Sequence, residues 1–112
     1  MRKSIFALLA LTLMAFTTNA QSKQEKVTFK VYGNCGMCER TIEGAVNEQK
    51  GVHSADWDID SKKMAIKFDP SKISLDKIKQ LIADAGYDTE SHRATEKKYN
   101  SLHGCCQYER PE

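Results

Sequence analysis

Val27-Thr28-Phe29-Lys30-Val31-Tyr32-Gly33-Asn34-Cys35-Gly36-Met37-Cys38-Glu39-Arg40 is the stretch whose reading decides the fold. Val27, Phe29 and Val31 alternate with Thr28, Lys30 and Tyr32, the period of a half-buried strand. Gly33 and Asn34 break that pattern. From Cys38 to about Gln49 the period changes: Cys38, Ile42, Ala45 and Val46 share one helical face, away from Glu39, Arg40 and Glu43. Cys35 and Cys38 therefore lie where a strand gives way to a helix. Thiolates are soft ligands that select Cu(I) or borderline Zn(II). The N–H groups and positive dipole end of a helix N-terminus favour thiolate over thiol. The same spacing also serves thiol–disulfide exchange, so the spacing alone leaves both chemistries open.

Outward from this junction, Gly51 suits a helix stop. Val52 to Asp58 reads as a second strand, with Ala55 and Trp57 on one face. Asp60-Ser61-Lys62 makes a turn, and Met64, Ile66 and Phe68 alternate as a third strand, giving a hairpin. Ser74 is a good cap for a second helix carrying Leu75, Ile78, Leu81, Ile82 and Ala85, which Gly86 closes. Tyr87 to His92 is expected to be a short final strand. The order is β-α-β-β-α-β. It predicts an α+β, ferredoxin-like fold: a four-stranded antiparallel sheet with two helices on one face.

The ends of the chain read differently. Arg2 and Lys3, the apolar run Ile5 to Phe16, and the small and polar residues up to Ala20 make residues 1–20 a secretory signal peptide cleaved after Ala20. The run is short for a membrane span, which needs about 20 apolar residues, so no stable membrane anchor is expected. Residues 21–25 form a flexible leader, 26–93 the domain and 94–112 a Cys-containing C-terminal tail. The export signal places the mature protein in the periplasm or outside the cell. The full chain has a net charge of +2, which resides in Arg2 and Lys3, so the mature chain is neutral. A neutral chain of mixed charges argues against nucleic-acid or membrane-surface binding. The oligomeric state is left open.

The residues around Cys35–Cys38, Gly51-Val52 and Ala85-Gly86-Tyr87-Asp88 resemble the heavy-metal-associated domain family, over about Lys26 to Arg93. This is the small module of copper chaperones, metal-exporting ATPase tails and the periplasmic mercury-binding protein. The resemblance implies that Cys35 and Cys38 are metal ligands, that Tyr87 lies close to the site, and that no enzyme activity follows. It also implies a metal donor or acceptor, such as a metal-transporting membrane protein, as partner. The family often has Met two residues before the first cysteine. Here Gly33 stands there, and a looser or differently shaped loop is expected. A typical stand-alone member stops near His92, so the tail is a second departure.

Two thiolates hold Cu(I) or Hg(II) in near-linear geometry, whereas Zn(II) asks for four ligands. Copper(I) is the expected cargo, with mercury(II) or zinc(II) as alternatives. His103, Cys105 and Cys106 are candidate additional ligands if the tail folds back. The competing readings of these cysteines are a separate or chain-bridging metal site, and a disulfide. A bond between adjacent cysteines would be strained, because their Cα atoms lie about 3.8 Å apart. Met37 is expected to pack or face solvent, His53 and His92 to lie on the surface, and Trp57 to pack. Asp56, Asp58, Asp60 and Asp69 suit turns and hairpin edges and lack calcium-loop spacing. The expected function is an exported soft-metal-binding protein that captures the ion for transfer or sequestration. The alternative is a periplasmic thiol–disulfide oxidoreductase using the same pair, which the element order disfavours.

Overall fold

The structure, a computed structural model, describes residues 23–112. The signal peptide expected over 1–20 lies outside the described residues. The first strand, β1 (Glu25–Lys30), begins at the edge of the expected leader. It pairs antiparallel with β3 (Lys63–Phe68), placing Val27 opposite Ile66 and Phe29 opposite Met64. The strand β2 (Val52–Trp57) pairs with the other edge of β3, placing Ala55 opposite Ile66 and Trp57 opposite Met64. Sheet order is β1-β3-β2. Lys63 and Lys67 are exposed while Met64, Ile66 and Phe68 are buried, so alternation along β3 sends one face inward. Over that face pack α1 (Gly36–Asn47), through Cys38, Ile42 and Val46, and α2 (Leu75–Asp84), through Ile78, Ile82 and Ala83. Each large apolar side chain buried here contributes about 1.5–3 kcal/mol.

The second helix starts and stops as its sequence dictates. Ser74 Oγ accepts from the Lys77 N–H at 3.0 Å. At the other end, Gly86 takes φ +107°, and the N–H groups of Gly86 and Tyr87 return to the carbonyls of Ala83 and Ile82. This pattern satisfies the last free carbonyls of the helix and favours glycine at the left-handed position. Leu102 of the tail then closes over Gly86, within 2.9 Å of where a Cβ would stand. No helix among the described residues is long and apolar enough to cross a membrane.

Three expectations are corrected. The sheet has three strands, and the expected fourth, Tyr87 to His92, is reduced to an isolated Val31–Thr89 bridge. A tight turn and hydrogen bonds to side chains replace the ladder there. Thr89 N–H donates to the His92 carbonyl, His92 N–H donates to Thr89 Oγ1, and the Glu90 carboxylate accepts from the Lys30 N–H. The helix read from Cys38 begins two residues earlier, at Gly36, with Cys35 as its extended N-cap. The glycine at 33 is required by space rather than by backbone angles. It is buried, lacks a positive φ, and a Cβ there would sit 3.0 Å from the Trp57 ring and 3.1 Å from Ile42. The Trp57 indole fills the space beneath the loop and donates to the Val31 carbonyl at 3.0 Å.

The tail is docked. Thr95 caps a short helix, α3 (Glu96–Asn100), and a 3-10 turn follows at Gly104–Cys106. The buried Tyr108 hydroxyl donates to the Gly86 carbonyl at 2.9 Å and accepts from the Asp88 N–H at 2.8 Å. Its ring stacks on Tyr87, with centroids 5.6 Å apart, and meets Tyr99 edge-on. Arg110 grips the buried Asp88 carboxylate with two hydrogen bonds of 2.9 Å, and the Ala94 N–H adds a third of 2.7 Å. Burial pushes the Asp88 pKa up, but these donors outweigh it and hold the carboxyl below the ordinary range.

Three outcomes follow for the fold. Gly33→Ala crowds the Trp57 ring and is expected to cost about 1–3 kcal/mol, read by urea unfolding of the single tryptophan's fluorescence. Tyr108→Phe strands a buried donor and acceptor, costs about 1–3 kcal/mol, and speeds proteolytic cleavage of the tail. Because the folded Asp88 pKa is depressed, its stabilisation is complete above the unfolded value of about 3.9. That stabilisation is lost as pH falls through the lower folded value. Asp88→Asn is expected to lower stability at neutral pH and to flatten the acid limb of a stability–pH curve.

Candidate metal centre

Cys35 occupies the N-cap of α1 in extended backbone, with φ −155° and ψ 171°. Cys38 follows one turn later on the same side and is fully buried. Their sulfurs lie 3.1 Å apart. The Cys38 thiol also reaches Asn34 Oδ1 at 3.1 Å, so the loop residue between the strand break and the first cysteine orients the second. The Cys35 side chain makes no cap hydrogen bond. Its thiol is nonetheless lowered to about 7, first by the Cys38 thiol and then by the Cys38 backbone N–H, against the opposing effect of burial. A thiolate is thus accessible at neutral pH, as a helix N-terminus favours.

The tail brings in the second pair. Cys106 Sγ lies 3.6 Å from Cys35 Sγ, and Cys105 Sγ lies 4.0 Å from Cys106 Sγ. The sulfurs of Cys35, Cys105 and Cys106 all fall within 4.8 Å of one another. All four cysteines are free thiols. Cys106 is buried, and desolvation first, then the thiols of Cys38 and Cys35, push it up to about 12. Cys105 is exposed. Tyr87 stands beside the cluster: burial, and after it the Cys38 and Cys106 thiols, raise its hydroxyl far above the ordinary tyrosine value. At the phenolic position beside the thiols it remains a neutral donor.

The other candidates separate from this centre. His103 is exposed at the cap of the 3-10 turn, where its carbonyl accepts from the Cys106 N–H. It joins no group of three close ligand atoms among the described residues. Met37 is 48 % exposed and faces solvent. His53 lies on the surface, and His92 binds Asp76 Oδ1 and Ser91 Oγ at 2.8 Å each. Asp58 and Asp69 hold the turns at Ser61 and Ser71.

Several site residues escaped sequence reasoning. Asn34 read only as a strand breaker, although Asx residues in loops regularly accept local donors. Tyr108, Arg110 and Asp88 carried no local signal, because the partners are about twenty positions apart. A carboxylate group of Glu39, Glu43 and Asp56 was also missed. Glu43 accepts from the Trp57 N–H at 2.9 Å, and its pKa is raised first by burial. That contact ties α1 to the end of β2.

Comparison with known proteins agrees with this geometry. The heavy-metal-associated domain profile matches residues 28–88. The copper chaperone CopZ of Staphylococcus aureus is 36% identical over 55 residues, covering 49% of this chain and 81% of the relative. Among solved structures, a CopZ metallochaperone superposes with a TM-score of 0.56 at 33% identity, over 58% of this chain and 98% of that one. Oxidized MerP from Ralstonia metallidurans gives a TM-score of 0.57 at 30% identity, over 61% of this chain and 96% of that one. The family match ends at Asp88, so Cys105 and Cys106 lie beyond it. With the second half of its first strand, its cysteine-capped helix and its Gly86-Tyr87 turn inside the matched span, the chain belongs to the heavy-metal-associated domain family.

Proposed function

We propose that the protein is an exported carrier or store for a soft metal ion, that Cu(I) is its cargo, and that Cys35 and Cys38 capture it. The observation that carries this reading is the pair of sulfurs 3.1 Å apart at the N-terminus of α1. Supporting it are membership of the heavy-metal-associated family and the likeness to a copper chaperone. Two thiolates suit a monovalent soft ion. Each thiol that binds releases its proton, which the lowered Cys35 pKa eases. Hand-over is ligand exchange without electron transfer. An acceptor thiolate bonds to Cu(I), one of the two cysteines leaves, and copper stays monovalent throughout. The acceptor is a metal-transporting membrane protein or another metal carrier. The activity is cargo binding rather than catalysis, and Hg(II) and Zn(II) are the competing cargoes.

A second reading has one observation in its favour: a Cys35 thiol near neutral pKa beside Cys38 also suits thiol–disulfide exchange. One experiment separates the two. The reduced protein is titrated anaerobically with Cu(I) against a chromogenic Cu(I) chelator, beside the Cys35→Ser/Cys38→Ser variant. Loss of both thiols is expected to weaken binding beyond the about 10–100-fold that losing an outer-shell partner costs. A variant that binds like the wild type overturns the reading. Rapid insulin reduction without Cu(I) affinity establishes the redox reading instead. Export is tested separately: the protein recovered from the cell envelope or medium is expected to start at Gln21.

A further inference from the structure

We propose that the docked tail converts the two-thiol site into a three-thiolate Cu(I) site: Cys35 keeps the ion, Cys105 and Cys106 bond to it, and the bond to Cys38 breaks as that thiolate takes back a proton, so that the protein retains copper more firmly than the Cys35–Cys38 pair alone. This rests on the metal-binding reading above and specifies the coordination of the same site. A metal–thiolate bond of about 2.3 Å places the sulfurs of a planar three-coordinate site about 4 Å apart, and those of a linear pair about 4.6 Å apart. The Cys35–Cys106 and Cys105–Cys106 separations are 3.6 and 4.0 Å, and the third edge of that triangle is within 4.8 Å. The triangle already has the dimensions of the three-coordinate site. The Cys35–Cys38 pair, at 3.1 Å, must open before it can hold an ion linearly.

The tail cysteines are held in place rather than merely near. Tyr108, two residues beyond Cys106, inserts its hydroxyl between the Gly86 carbonyl and the Asp88 N–H. Arg110 locks onto the Asp88 carboxylate. The 3-10 turn closes through the Cys106 N–H to the His103 carbonyl at 2.7 Å, which fixes Cys106 inward and leaves Cys105 at the surface. Ordering a tail costs conformational entropy whether or not metal is present. Here those anchors hold it in the apo protein, so the third ligand is pre-positioned and binding adds no ordering cost. Cys105 is exposed, and its sulfur lies within hydrogen-bond reach of the Cys106 sulfur.

The test loads the reduced full chain with one equivalent of Cu(I) under anaerobic conditions. Sulfur coordination is read by copper X-ray absorption, and affinity by chelator competition. The wild type is expected to show three sulfurs. Cys105→Ser and Cys106→Ser are each expected to show two and to bind at least about 10-fold more weakly, the scale on which metal-site partners act. Cys105 is exposed, so Cys105→Ser leaves the fold intact and remains decisive if Cys106→Ser does not fold. Two sulfurs in the wild type, with unchanged affinity in Cys105→Ser, overturn the three-thiolate site and leave capture by Cys35 and Cys38 standing. A wild type that binds no Cu(I) overturns both. A disulfide that includes Cys105 or Cys106 in the copper-loaded protein, found by peptide mass mapping after denaturation and removal of the copper, also overturns it.

Discussion

The Tyr108 hydroxyl, set between the backbone of Gly86 and the backbone of Asp88, is the contact on which the arrangement of the site depends. Gly86 is the left-handed stop of α2, and the Asp88 carbonyl accepts from the Tyr32 N–H beside the isolated Val31–Thr89 bridge. One side chain thus links the end of the second helix, the abandoned fourth strand and the tail. Around it, Arg110 and the Ala94 N–H satisfy the buried Asp88 carboxylate, and Tyr87 and Tyr99 pack against its ring. A buried carboxylate with one partner removed costs about 3–5 kcal/mol, so this cluster is stable as a whole and costly in part. Release of the tail is therefore cooperative, and the tail cysteines arrive at or leave the site together.

The other half of the site rests on Trp57. Its indole occupies the volume beneath the loop that Gly33 leaves empty, and it is hydrogen-bonded at both ends, by its ring N–H to Val31 and by its backbone N–H to Glu43. Glu43 belongs to α1, the helix that Cys35 caps. The thiol pair is thus mounted on a helix braced against β2. Rigid support of this kind fixes ligand atoms more closely than a loop does, which matters where tenths of an ångström separate two-coordinate from three-coordinate geometry.

What was legible in the sequence had a short period. The alternation of Met64, Ile66 and Phe68, the helical spacing of Ile78 and Ile82, the Ser74 cap and the Gly86 stop all describe contacts within a few residues. Each of these appears in the fold. The placing of Cys35 and Cys38 where a strand gives way to a helix was legible for the same reason. The fourth strand was misread because its pattern is only a few residues long and the Thr89 and Glu90 side chains accept from the backbone N–H groups of Ser91, His92 and Lys30 instead. Gly33 was misread as a source of backbone freedom because its true reason, Trp57, is a distant residue whose size matters only in three dimensions. Docking of the tail depends on the pairing of Tyr108 with Gly86 and of Arg110 with Asp88, each a single interaction across about twenty residues with no periodicity to betray it.

Coordination number links this architecture to what a metal carrier does. A linear two-thiolate ion leaves open flanks, and an acceptor thiolate adds to it before either cysteine leaves, so exchange is fast without being costly. An ion already held by three thiolates presents no such opening until one of them departs. In this chain two of those three would sit on a segment whose attachment is the Tyr108–Asp88–Arg110 cluster rather than on the domain itself. The stability of that cluster then sets how readily the third position opens. It is most secure where Asp88 is ionised, and it weakens together with the fold in acid. Under the three-thiolate proposal, holding and releasing the ion would be properties of tail docking, and capture a property of the Cys35–Cys38 junction. That division of labour is available only because the cysteines come in two pairs, one inside the family domain and one beyond it.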